Sequence, residues 1–368
     1  MRFEKAIAGI AMALAVAGAS AAEAVVYTMT NETDMNRVIA FALRPRGKLV
    51  ELGRFETGGT GTGGGLGNQS ALALDASDRW MFVVNPGDGS LTSFRLQPEG
   101  LQFVSRVPSG GFSPVSVTVF GTLVYVLNEG DPGDPAGSPD NISGFRFDTG
   151  GVLVPIPDST RPLSQPLTDP AQIGFNKSGS VLLITEKATN ALTTYVVQPD
   201  GTPAPTSLTR PSAVPTPFGF EFGDRDFVFV TEANGGGRGV VAVYRIDRAT
   251  GAVSDLVDRI DLGNATCWTV LNNDQTIGYA TNTGSGTVSI YRIGFGGTVD
   301  PFFKRRPNRH VAAGSRPLDA VLSQNNQHFF TLNAGNGEIR SFRVERSGAL
   351  KRQAGVAVPV SSSGLLAR

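Results

Sequence analysis

The stretch from Asn264 to Ile293, NATCWTVLNNDQTIGYATNTGSGTVSIYRI, decides the fold. It reads as three short strands, Thr266 to Leu271, Thr276 to Ala280 and Val288 to Ile293, each apolar or alternating in the way a half-buried strand requires. Between them lie Asn272-Asn273-Asp274 and Asn282-Thr283-Gly284, residues that tolerate the positive φ of a tight turn.

The same pattern recurs along the chain. Ser70 to Leu96 and Leu318 to Val344 are clear copies, and weaker ones begin near Val115, Ala171 and Phe218. A period of about 45 to 55 residues is that of four-stranded propeller blades. The expected fenced-off outer strands are poorer in pattern: Leu101 to Val107, Val152 to Ile156, Ala252 to Ile260, Val299 to Lys304 and Leu350 to Val356. Near the N-terminus, Val25 to Asn31 matches a second strand and Arg37 to Leu43 a third, which leaves that blade without a first strand. Val358 to Ala367 has the look of the missing piece. The expectation is an all-β, seven-bladed β-propeller forming one domain over residues 25–368, its ring closed by the C-terminus, since closure removes free sheet edges.

Residues 1–24 read as a signal peptide: Arg2 and Lys5, an apolar run from Ala6 to Ala17, then small residues at the cleavage positions. The run is short for a membrane span. Export to the periplasm or beyond is expected, with no membrane span after processing, and the mature chain is expected to be a monomer. Turn-rich composition (46 Gly and 23 Pro in 368 residues) fits all-β structure, and a single Cys leaves no internal disulfide. Formal net charge is zero, which gives no electrostatic reason to expect nucleic acid. Lys304 to His310, KRRPNRH, reads as a solvated basic patch.

Five second strands end in Asn (Asn31, Asn85, Asn128, Asn282, Asn333), but two end in Glu186 and Glu232. Asn at a strand end caps its own turn. Two Glu in adjacent blades call for another reason: acid and base facing a shared cavity, or ion pairs to Lys187, Arg225 or Arg238. Cys267 reads as a buried small hydrophobe. Trp268 beside it either packs between blades or stacks on a ligand at the channel mouth. His310 and His328 are too few for a His-based zinc site or triad, and His328 reads as a solvent-facing turn residue. Asp131, Asp134 and Asp140 lie in a Pro-rich insertion whose spacing is not that of a known calcium loop. Gly58 to Gly67, GGTGTGGGLG, has no helix after it to cradle a phosphate and reads as a flexible linker. No cofactor or metal is expected.

The whole mature chain resembles the lactonase-like seven-bladed propellers, which include 6-phosphogluconolactonase and the carboxymuconate-lactonizing cyclase. The resemblance is carried by Thr216-Pro217-Phe218-Gly219-Phe220, Thr185-Glu186-Lys187-Ala188-Thr189-Asn190, Asn141-Ile142-Ser143-Gly144-Phe145-Arg146 and Cys267-Trp268. It implies that Glu232 matches the cyclase acid/base Glu. The cyclase channel His falls on Ala171, next to Gln172, and its two carboxylate-binding Arg fall on Phe218 and Asn282, so that reaction is not supported. Two hypotheses stand. In one, a lactone or related small organic acid is hydrolysed or isomerised at the channel, with Glu232 and Glu186 as acid/base and Gln172, Asn282, Arg316, Trp268, Asn128 and Asn333 lining the substrate. In the other, a non-catalytic propeller binds a small ligand, a protein partner or an envelope component at the channel mouth.

Overall fold

The structure is a computed structural model that describes residues 23–98, 100–302 and 311–368. The signal-peptide segment up to Ala22 and the basic patch Lys304 to His310 lie outside the described residues. Seven antiparallel sheets form the seven blades of a propeller. Their innermost strands are Ser363–Ala367, Leu72–Leu74, Pro114–Phe120, Pro170–Phe175, Pro217–Phe222, Thr266–Leu271 and Pro317–Leu322, for blades 1 to 7 in that order.

Blade 1 is closed as the sequence predicts. The terminal strand pairs with Val25–Met29 through Val26 opposite Ala367 and Tyr27 opposite Leu366. Val25 and Arg368 exchange both backbone hydrogen bonds, at 2.8 and 3.0 Å. The strand is shorter than expected, because residues 358–362 form the approach to it. The outer strand expected over Ala252 to Ile260 forms later, at Asp258–Asn264, and Val253 makes only an isolated bridge to Ile246.

The turn after each inner strand is built locally. In blade 6 the Asn272 side chain accepts the Thr276 and Ile277 amides at 3.0 and 2.9 Å, while Gln275 takes φ 55°. Asp75 does the same for Arg79 and Trp80, with Asp78 at φ 52°. An Asx side chain that satisfies two amides makes the positive-φ residue tolerable. Between blades, apolar side chains of the second and third strands interlock, as where Tyr279 meets Phe329 with ring centroids 5.3 Å apart. This close packing forms the core, which the chain has no disulfide to reinforce.

Candidate functional site

At one end of the channel a single geometry repeats. The residue entering each inner strand of blades 2 to 7 has positive φ without being Gly: Ser70, Ser113, Asp169, Thr216, Ala265 and Arg316, at 46° to 64°. In blades 3 to 7 its carbonyl accepts the amide just past the second strand, from Glu129, Lys187, Ala233, Thr283 and Ala334 at 2.8–3.1 Å. Backbone held in this sparsely populated region costs energy and persists only when its surroundings enforce it. The ring of strand ends is therefore rigid, and it sets the side chains around the mouth.

The second-strand termini serve the connections between blades. Asn282 is fully buried; its Oδ1 accepts the Gly263 amide at 3.1 Å and the Thr266 hydroxyl at 2.8 Å, and its Nδ2 donates to Thr287 and Ser289. Asn128 donates to the Asn141 side chain and Asn333 to the Ala313 carbonyl. The incoming linker passes so close that a Cβ on Gly111 or Gly263 would lie 2.6 Å from Asn128 or Asn282. In blades 4 and 5 the linker carries Ser164 and Ala213 instead, and there the terminus is Glu. Glu186 accepts the Ser164 amide at 3.2 Å and the hydroxyls of Ser164, Thr189 and Thr193. Glu232 accepts the Ala213 and Val214 amides at 3.2 and 2.6 Å and the Tyr244 hydroxyl at 2.7 Å. Both carboxylates are wholly buried. Burial raises the Glu232 pKa, against the lowering effect of the Tyr244 hydroxyl and the two amides. The Glu side chain reaches a linker held further off than a Gly linker, so the expectation that these two carboxylates face a shared cavity is corrected. Neither pairs with Lys187, Arg225 or Arg238; they hold backbone.

The Gly-rich segment is also corrected: residues 64–69 are a strap across this mouth rather than a loose linker. Asn31 donates to the Gly64 carbonyl at 2.5 Å, and a Cβ on Gly65 would lie 3.5 Å from Leu318 of blade 7. The Leu66 amide donates to Ser363 of blade 1 at 3.3 Å. Lys187 donates to the Gly67 carbonyl at 3.2 Å, Asn68 to the Pro170 carbonyl at 2.9 Å and the Gln69 amide to the Ala171 carbonyl at 3.1 Å, all in blade 4. Blades 1 and 7 stand opposite blade 4 in a ring of seven, so the strap spans the channel. Lys187 is its latch, also paired with Asp169 at 2.8 Å and seated 5.0 Å over the Phe218 ring. Beside it the Glu129 carboxyl is raised by burial, an effect Lys187 opposes. Three polar atoms here are buried without a protein partner: Asn68 Oδ1, Gln69 Oε1 and Trp268 Nε1.

The other expected site residues fall as follows. Gln172 clamps blade 4 to blade 5, accepting the Phe220 amide at 2.7 Å and donating to its carbonyl at 3.2 Å, so its side chain is used within the ring. Trp268 is fully buried against Phe218, ring centroids 5.4 Å apart. Arg316 is exposed at the mouth, with no ion pair among the described residues. Burial pushes the Cys267 thiol up to about 11. Asp140 pins the insertion by accepting the Gly130 and Thr168 amides, while Asp131 and Asp134 cap their own turns. His328 is not a turn residue: it opens a second strand, is buried, and its Nε2 lies 3.2 Å from Glu23.

Further along the channel is a residue the strand pattern hides. Inner strand PFGFEF of blade 5 places Glu221 opposite Phe229, the position held by Ala73, Thr118 and Val321 in blades 2, 3 and 7. All four are half-buried although they belong to innermost strands, whereas Gly174 and Val270 at the same register in blades 4 and 6 are buried. No hydrogen bond or ion pair among the described residues involves the Glu221 carboxylate. Burial pushes it up to about 7, with Lys177 pulling it down. A charged residue inside an otherwise apolar inner strand was the sequence signal. A surface groove of about 700 Å³ at the outer part of blade 3 is lined by Phe147, Val154 and Pro157 together with Asp148 and Asp200.

The architecture and channel define the class: a seven-bladed propeller with the fold of the lactonase-like proteins. Solved structures agree. The periplasmic gluconolactonase of Pseudomonas aeruginosa superposes with a TM-score of 0.72 at 18% identity, covering 93% of this chain and 99% of its own. A protein from Lactobacillus plantarum gives 0.76 at 15%, covering 94% and 99%. A provisionally assigned 6-phosphogluconolactonase from Bacteroides fragilis gives 0.73 at 16%, covering 96% and 99%. Comparison with protein-family models gives no match, and neither does comparison with curated proteins. At these identities the likeness is one of fold.

Proposed function

We propose that the protein works in its central channel on a small organic molecule, and that the reaction is hydrolysis of a lactone. One observation carries this: Glu221, a carboxyl with no hydrogen-bond or ion-pair partner among the described residues, stands on the innermost strand of blade 5. Titratable groups perturbed by burial in a concave site are the usual mark of acid–base chemistry. The gluconolactonase named among the solved structures supports the same direction.

A second reading, a binding propeller without turnover, is favoured by a different observation. The Glu pair at the strand ends is consumed by the linkers, and the chain's own strap crosses the mouth. Screening residues 25–368 against sugar, aromatic-acid and acyl lactones, with and without divalent metals, separates the two. Turnover above the uncatalysed rate supports the hydrolase; a thermal shift without turnover supports the binder.

We also propose export. The segment 1–24 is cleaved and the mature protein is periplasmic or secreted. No helix among the described residues is long and apolar enough to cross a membrane. N-terminal sequencing of protein from the periplasmic fraction tests this; retention of Met1 contradicts it.

A further inference from the structure

We propose that Glu221 is the general base of this channel and that its substrate is an uncharged lactone. This rests on the hydrolase reading above. The inner strands contain two carboxyls, Glu221 and Asp319. Asp319 is committed to structure: it is buried, accepts the Ala320 amide at 2.7 Å and bonds the backbone of Leu365, so it fastens blade 7 to the closing strand. Glu221 fastens nothing. It stands two residues beyond Gly219 on a strand whose neighbours Phe220 and Phe222 pack toward Gly174 of blade 4.

The groups facing Glu221 define what it can accept. Across its own blade is Phe229. From blade 6, the buried Tyr291 feels its charge, and the Tyr291 and Thr269 hydroxyls lie 2.7 Å apart. From blade 4 comes Lys177, already paired with Asp224 at 2.8 Å, and Asp224 is also held by Gln275. Ala73, Thr118, Gly174, Val270 and Val321 hold the same register position in blades 2, 3, 4, 6 and 7 and carry no charge. A substrate carrying a phosphate or carboxylate would meet a like charge, and the cation facing Glu221 among the described residues, Lys177, is already paired with Asp224. A neutral ring ester would not.

The chemistry balances without a co-reactant. The ionised Glu221 takes a proton from a water molecule as that water's oxygen bonds to the lactone carbonyl carbon. The ring C–O bond then breaks, and Glu221 returns the proton to the departing ring oxygen. Lactone and water become an open hydroxy acid. The acid ionises and is then repelled from a carboxylate that is itself ionised, which favours release. A base whose pKa lies near the working pH is the effective kind. Activity rises through about pH 7 as Glu221 ionises.

The experiment compares wild type and Glu221→Gln on glucono-1,5-lactone and its 6-phosphate, from pH 5 to 9. The expected result is faster turnover of the neutral lactone. Glu221→Gln is expected to lose about 10²- to 10⁴-fold in kcat and to lose the pH dependence, with its melting transition retained. A folded Glu221→Gln as active as wild type overturns the base assignment. Preference for the phosphorylated lactone overturns the substrate class. If wild type turns over neither these nor any other lactone, the hydrolase reading fails and the inference fails with it, a result distinct from the other two because it strikes both variants alike.

Discussion

Glu232 and Glu221 lie in the same blade and on adjacent strands, yet they are opposites. Glu232 is wholly buried and accepts two amides and a hydroxyl; Glu221, on the innermost strand, accepts nothing from the described residues. The first is an anchor and the second is a reagent. A carboxylate is available for chemistry when its lone pairs are free, and a strand-end position says little about that.

The widest separation between them should appear in stability. Glu232→Ala leaves the Ala213 and Val214 amides and the Tyr244 hydroxyl without an acceptor in a buried place. We expect a loss of about 3 kcal/mol or more in urea unfolding. Glu232→Gln keeps one acceptor oxygen and should lose about 1–2 kcal/mol. An unchanged Glu232→Ala would remove the anchor half of the comparison. The same substitutions at Glu186 should behave alike, because Ser164 stands there as Ala213 does in blade 5.

A smaller effect tests the strap. Cys267, the single cysteine, packs with Phe218 and Leu318 at the strapped mouth and reports access to it. Lys187→Met removes the bond to Gly67 and the pair with Asp169. Labelling of Cys267 by a small thiol reagent should quicken roughly fivefold, the equivalent of about 1 kcal/mol for one lost hydrogen bond. An unchanged rate in a normally melting variant would mean that Lys187 does not hold the strap.

Much of the fold was legible because it is written locally. Turns such as Asn272 to Gln275 are closed by their own side chains, and the unpaired Val25 strand announces its need for a partner that the C-terminal strand supplies. The site was less legible, for a physical reason. Glu186 and Glu232 looked anomalous in the row of Asn, but the explanation sits across the blade junction, where Ser164 and Ala213 replace the Gly that Asn requires. The strap is Gly-rich and reads as flexible; its order comes from Leu318, Ser363, Lys187 and Pro170, which are remote in sequence. His328 was misplaced because a strand begins one residue earlier than the polar run suggests. Glu221 was passed over in the sequence, although a charge inside PFGFEF is the kind of local inconsistency that marks functional positions.

The most direct test of the account needs no substrate. It is the unfolding free energy of wild type and Glu221→Gln from pH 4 to 9. Folding raises the Glu221 pKa from its ordinary 4.5 to about 7, so the folded state holds the proton more tightly. The stability this confers is fully present below pH 4.5 and is lost as pH rises through 7. Glu221→Gln should match wild type at pH 4 and exceed it by roughly 3 kcal/mol above pH 8. A difference that stays flat with pH, or a variant that is less stable at high pH, would mean that Glu221 has a partner and would contradict its place as the free carboxyl of the channel.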